Sequence, residues 1–113
     1  MAERLPAHIE AAALIRRVEA EGGFGTVLNR GDPDRGSLVL LLSHRGEHQA
    51  CLERQLSPDG SYRWQKVGPG SGVEPPTLAE WSQKRRRFDE DSWFIELDVA
   101  DPERFIAEIA SQG

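Results

Sequence analysis

The stretch SLVLLLSH, residues 37–44, decides how this chain is read. Residues 38–42 are apolar without a break, in the order Leu38, Val39, Leu40, Leu41, Leu42. So short a run between turn residues is a strand rather than a helix. With no polar alternation, it is a strand covered on both faces. Upstream lies GDPDRG, residues 31–36, in which Gly, Asp and Pro each have a backbone reason to turn the chain. The β-rich FGTVLNR, residues 24–30, comes before it and reads as another strand. Downstream, RGE turns the chain and residues 48–56 alternate loosely, as a more exposed strand does. SPDGS is a hairpin turn, since Pro presets φ, Asp caps locally and Gly supplies a positive φ. YRWQKV, residues 62–67, then places Tyr62 and Trp64 on one face and Arg63 and Gln65 on the other. Residues 24–67 are therefore expected to form a four-strand antiparallel meander.

Helices bracket this core. Residues 6–21 carry Ala11, Leu14, Ile15 and Val18 at helical spacing, with Pro6 at a first helical position and Gly22-Gly23 as the stop. GPGSGVEPP, residues 68–76, is rich in Gly and Pro and reads as a loop. Thr77 and Glu80 have capping-box spacing, and Leu78, Trp81, Arg85 and Phe88 share one face of the helix that follows. SWFIELDV alternates, with Trp93, Ile95, Leu97 and Val99 inward and Phe94, Glu96 and Asp98 outward. DPERFIAEIAS opens a last helix, with Asp101 as N-cap, Pro102 at the first position and Phe105, Ile106 and Ile109 on its apolar face. The expected fold class is α+β: an antiparallel sheet of about five strands, the meander plus a later strand, with helices packed on one face and element order α-β-β-β-β-α-β-α. That order is not a run of βα units, which argues against a nucleotide-binding parallel sheet.

Composition narrows the functional classes. The chain has 113 residues, enough for a single domain, with 38% apolar and 29% charged residues. Its net charge of −5 argues against broad electrostatic capture of nucleic acid or an anionic membrane. A lone cysteine, Cys51, excludes an internal disulfide and a multi-cysteine zinc site and fits a reducing compartment. The first residues mix charges rather than forming a secretory signal, and no apolar run approaches the ~18 residues of a membrane span. A soluble cytoplasmic protein with no cofactor and no membrane partner is expected.

Four groups of residues are candidates for chemistry. Asp32 and Asp34 begin like a hard-metal loop, but the turn ends too soon for the further ligands a calcium loop needs. Capping of backbone amides by the two Asp side chains accounts for them. His8, His44, His48 and Cys51 have no zinc spacing, and an odd separation on a strand puts His48 and Cys51 on opposite faces. Cys51 reads as an inert thiol. Trp81 and Trp93 fall on inferred core faces, whereas Trp64 sits on a more polar strand and stays available to stack on a ring. In QKRRRFDEDSW, residues 83–93, Arg86 and Arg87 point to solvent while Arg85 lies on the apolar face and requires an anionic partner. Asp89, Asp91 and Asp32 are the nearest choices. An anion-binding patch is the functional reading of the run. Cations favouring a helix C-terminus, with Arg85 as a strut, is the structural one. The acidic residues that follow repel anions and favour the strut.

Two motifs carry a resemblance: the Gly-Asp turn of Gly31, Asp32 and Gly36, and the Arg-x-x-Phe-Asp-x-Asp-x-Trp stretch of Arg85, Phe88, Asp89, Asp91 and Trp93. Over residues 9–98 the chain resembles the domain of unknown function 1491 family, small proteins mostly of alphaproteobacteria. It departs from that pattern at Glu90, where proline is usual, and in its helical C-terminus. The resemblance supports the fold and implies no activity. The leading functional expectation is a non-enzymatic binding or protein-interaction module, with a protein partner or a second copy as ligand. Asp32, Arg85, Asp89, Asp91 and Trp64 are its binding candidates, with no catalytic or metal residue assigned. The alternative is a metal-dependent hydrolase or nuclease built on Asp32, Asp34, Asp89 and Asp91, which needs the GDPDRG and DED turns to meet in space. A third reading is single-strand RNA binding through Arg85, Arg86 and Arg87 with Trp64, against which the acidic composition weighs.

Overall fold

The computed structural model describes residues 5–111; the first residues of the mixed-charge N-terminal segment lie outside it. The elements are α1 (Ala7–Ala20), β1 (Phe24–Asn29), β2 (Leu38–His44), β3 (Glu47–Leu56), β4 (Tyr62–Val67), α2 (Pro75–Phe88), β5 (Trp93–Asp98) and α3 (Pro102–Ser111). The fold is α+β, and the element order is the one the sequence predicts. None of the described helices is long and apolar enough to cross a membrane.

The strand order is β1-β5-β2-β3-β4, which corrects the expected four-strand meander. Only β2, β3 and β4 form one. β5 inserts between β1 and β2, antiparallel to β1 and parallel to β2, so the sheet is mixed. Burial explains the insertion. β2 and β5 are the two most apolar strands, and side by side at the sheet centre each is covered on both faces. β1, most of whose residues are exposed, is left at the edge.

The expectation of helices on one face is also corrected. Leu38, Leu40, Leu42, Leu52, Ile95 and Leu97 pack against α1 and α3 through Ala11, Val18, Phe105 and Ile109. On the opposite face, Val39, Leu41, Cys51 and Phe94 receive Leu78 and Trp81 of α2. The unbroken apolar run of β2 needs both covers, because its odd and even residues face different helices. Phe94, expected outward, is buried for the same reason. Phe88, expected inward, is 85% exposed at the end of α2, where the helix has run past the apolar strip.

Local chemistry sets the ends of the elements. Gly22 takes φ +90° and Gly23 donates to the Val18 carbonyl at 2.9 Å, closing α1. Asp101 accepts the Arg104 amide at 3.1 Å and caps α3. α2 starts at Pro75 with Glu74 as N-cap and no side-chain capping bond. The expected Thr77 box does not form, because Pro75 and Pro76 already fill the first positions, where a missing N–H costs little. The β2–β3 hairpin turns on Arg45 (φ 52°) and Gly46 (φ 82°), both at positive φ, the backbone of a type I′ turn. Asp98 of β5 reaches across to accept both their amides, at 3.0 Å and 2.8 Å.

Candidate functional site

The GDPDRG turn is a junction. Asp32 folds its carboxylate back onto its own turn, where Oδ1 accepts the Arg35 amide at 2.7 Å and the Asp34 amide at 3.0 Å. Those two bonds, that from Arg35 foremost, hold its carboxyl below the usual carboxylate range. The Pro33 carbonyl accepts the His8 amide at 2.9 Å and the Asp34 carbonyl accepts the Ala7 amide at 3.2 Å. Both are donors that the first turn of α1 would otherwise leave unpaired. The Trp93 indole donates to the Asp32 carbonyl at 2.7 Å. The Asp32 amide donates to the Asp91 carbonyl at 3.0 Å. Gly31 and Gly36 permit this approach, since a Cβ at either would overlap the Asp91 carbonyl.

The two acidic turns therefore do meet, but through their backbones. Asp89 accepts the Asp91 amide on Oδ1 at 3.0 Å, within its own turn. Among the described residues no group of three His, Cys, Asp or Glu side chains is disposed to hold a metal ion.

Arg85 lies inward, as its helical phase predicts, but its partner is neither Asp89, Asp91 nor Asp32. Its Nε donates to Glu53 Oε1 of β3 at 2.7 Å, its Nη2 donates to the same oxygen, and its Nη1 donates to Ser92 Oγ at 3.2 Å. The side chains of Arg85 and Glu53 are only 17% and 13% exposed. One guanidinium thus ties α2 to β3 and to the residue leading into β5. Sequence reasoning looked for a near neighbour and missed Glu53. The usable signal was the alternation of β3, which puts Glu53 on the same face as Cys51, two residues away.

His48 and Cys51 correct the parity argument. Leu42 pairs with Ala50 while Ser43 pairs with His48, so Gln49 is an extra residue in β3. That bulge returns His48 to the face of Cys51. The His48 Nε2 lies 2.9 Å from the Pro69 carbonyl and 3.7 Å from the Cys51 sulfur, and the thiol is 3.6 Å from the same carbonyl. Donation from Nε2 to Pro69 leaves that nitrogen no lone pair with which to take the thiol proton. Burial pushes the Cys51 thiol up to about 12, so the thiolate that a nucleophile requires does not form near neutral pH.

Trp64 packs on the α1/α3 side of the sheet, with the Arg54 guanidinium 5.9 Å from its ring centre. Arg54 in turn pairs with Glu10 of α1. Trp64 is thus on the opposite face from α2 and is not brought together with Arg85, Arg86 and Arg87.

A different constellation does form. Arg86 donates to Asn29 Oδ1 at 2.8 Å, and the Arg30 guanidinium lies 5.5 Å from the Trp93 ring centre. Asn29, Arg30, Gln83, Arg86, Arg87 and Glu90 line an open cleft of about 380 Å³ between the end of β1 and the last turns of α2. Arg17, Arg54, Arg63, Arg85 and Arg104 all pair with carboxylates, whereas among the described residues Arg30, Arg86 and Arg87 have none within salt-bridge range. Arg30 was the residue that sequence reasoning did not single out. It joins the cleft because β1 lies beside β5, a pairing between strands far apart in the chain.

Solved structures carry the same fold. The crystal structure of a DUF1491 family protein from Caulobacter crescentus CB15 superposes with a TM-score of 0.76 at 29% identity, covering 87% of this chain and 91% of that one. The NMR structure of a DUF1491 family protein from the same organism gives 0.75 at 28% identity, covering 88% and 90%. The solution structure of protein Atu0922 from A. tumefaciens gives 0.72 at 27%, covering 88% and 89%. No curated protein matches the chain. The sequence model of the protein of unknown function family DUF1491 matches residues 5–107, and the chain belongs to that family.

Proposed function

We propose that this protein is a non-enzymatic, cytoplasmic binding module whose cleft of Arg30, Arg86 and Arg87 seats a carboxylate or phosphate group borne by a protein partner. One observation carries the reading: three guanidinium groups, two from α2 and one from the residue after β1, line one cleft with no carboxylate paired to them among the described residues, in a chain of net charge −5. Guanidinium forks suit planar and tetrahedral anions alike, the Gln83 amide adds a neutral hydrogen-bonding group, and Asn29 holds Arg86 in place through its Oδ1. Glu90 lines the same cleft and disfavours an anion set against it, which leaves the arginine side. The protonated Cys51 and the turn-bound carboxylates of Asp32 and Asp89 support a module that holds a ligand without transforming it.

The test is an amide-resolved NMR titration with inorganic phosphate, a Glu-rich peptide and a phosphoserine peptide. Saturable shifts at Asn29, Arg30 and Gln83, weakened by added salt and lost in Arg86→Ala/Arg87→Ala, are expected. The two peptides separate the carboxylate source from the phosphate source. Shifts absent for all three probes, or unchanged in the double variant, overturn the reading.

A further inference from the structure

β1 and β4 are the two edges of the sheet, and they differ. β4 presents Arg63 and Lys66, charges that deter another strand from adding. β1, FGTVLN, has no charged residue in six. It also concentrates exposed apolar surface: Phe24, Val27 and Leu28 are 71%, 37% and 52% exposed, three of the seven large exposed apolar side chains among the described residues. A native edge of this composition, left open, is a template for another strand.

The flanking charges indicate which strand. The nearest charges on the two sides of β1 are Glu21 before it and Arg30 after it. Run antiparallel to a copy of itself, the strand sets Glu21 of each copy toward Arg30 of the other, whereas a parallel copy would set like beside like. We infer that β1 is the docking surface for a second copy of this chain, the two strands pairing antiparallel about a two-fold axis near Thr26. Such an interface is isologous and closes at two copies. A two-fold axis perpendicular to the sheet keeps the faces of the two copies continuous, so Thr26 lies opposite its own counterpart, with Phe24 of each copy near the Val27–Leu28 end of the other. The register with β5 shifts between Val27 and Asn29, so the bulge at Leu28 limits regular pairing about Thr26 to residues 25–27.

The experiment is light scattering of the full chain after size exclusion, over a concentration series. The wild-type protein is expected at twice 12.6 kDa. Thr26 is exposed, and Thr26→Lys places two ammonium groups opposite each other across the axis. That variant is expected at 12.6 kDa with an unchanged circular dichroism spectrum. A wild-type mass of one chain at every concentration, or a Thr26→Lys protein still at the double mass, overturns the inference. If Thr26→Lys fails to fold, amide exchange of the wild-type protein decides. Alternate amides of residues 25–27 gain protection as concentration rises if the strands pair, and concentration-independent exchange there overturns it.

Discussion

Two residues behave differently from what their chemistry would suggest in isolation. Arg85 sits in a charged run, yet it is a strut, with Glu53 and Ser92 as its fixed partners. Removing one member of a part-buried ion pair leaves the other without compensation, so Arg85→Ala is expected to destabilise the fold by about 3–5 kcal/mol. Arg86→Ala, at an exposed position bonded to one neutral amide, should stay within about 0.5 kcal/mol. Urea unfolding of the two variants measures both, and equal small changes would show Arg85 to be solvated. Cys51, 1% exposed, keeps its proton in the folded state to about pH 12 against an ordinary value of 9.0. The unfolded chain ionises first, so this contribution is intact below pH 9, declines above it, and is fully lost once pH passes the folded value of about 12. Cys51→Ala removes that part of the alkaline slope. A thiol reagent should label native Cys51 only as fast as the protein opens, and rapid labelling at neutral pH would contradict the buried, protonated assignment.

At the scale of elements, the GDPDRG turn decides how α1, β2 and β5 fit together. Its backbone holds the start of α1, the Trp93 indole and the DED turn at once. Gly31→Ala drives a methyl into the Asp91 carbonyl and is expected to cost about 1–3 kcal/mol as an overpacking change. Gly70→Ala, where the nearest atom to a new Cβ is 4.0 Å away, should be near neutral. Comparing their melting temperatures tests whether close approach, rather than loss of glycine flexibility, sets the requirement. Trp93→Phe removes one donor from the Asp32 carbonyl and should cost about 1–2 kcal/mol. The sequence showed the elements because each has its own period: 3.6 in α1 and α3, alternation in β5, an apolar run in β2. It showed Arg85 turned inward for the same reason. What it did not show depends on contacts between distant segments. The insertion of β5 beside β2, the Glu53 partner and the place of Arg30 all follow from non-local strand pairing. The His48–Cys51 approach turned on one bulged residue, Gln49, which no alternation rule anticipates. The run at residues 38–42 had already implied cover on both faces, and the one-face expectation set that signal aside.

The two layers over the sheet are unequal. The α1/α3 side buries Ala7, Ala11, Val18, Phe105 and Ile109 against β2 and β5. α2 has no buried residue and rests on its face through the half-buried Leu78 and Trp81, with Arg85 as the polar tie. Local opening is cheapest where little apolar surface is covered, so α2 is expected to detach before the sheet unfolds. The arginine cleft spans this boundary, with Asn29 and Arg30 on β1 and its exit, and Gln83, Arg86 and Arg87 on α2. Ligand that bridges the two sides favours the docked helix, because it binds that arrangement and not the open one. Native-state hydrogen exchange reads this directly. Amides of α2 should exchange through an opening of lower free energy than those of β2 and β5. Arg85→Ala should accelerate α2 exchange more than β2 exchange, and a phosphate-bearing ligand held in the cleft should slow α2 alone. If α2 and β2 amides share one opening free energy, and Arg85→Ala shifts both equally, the molecule opens as a single unit. The cleft would then be a rigid site rather than one that closes on its ligand.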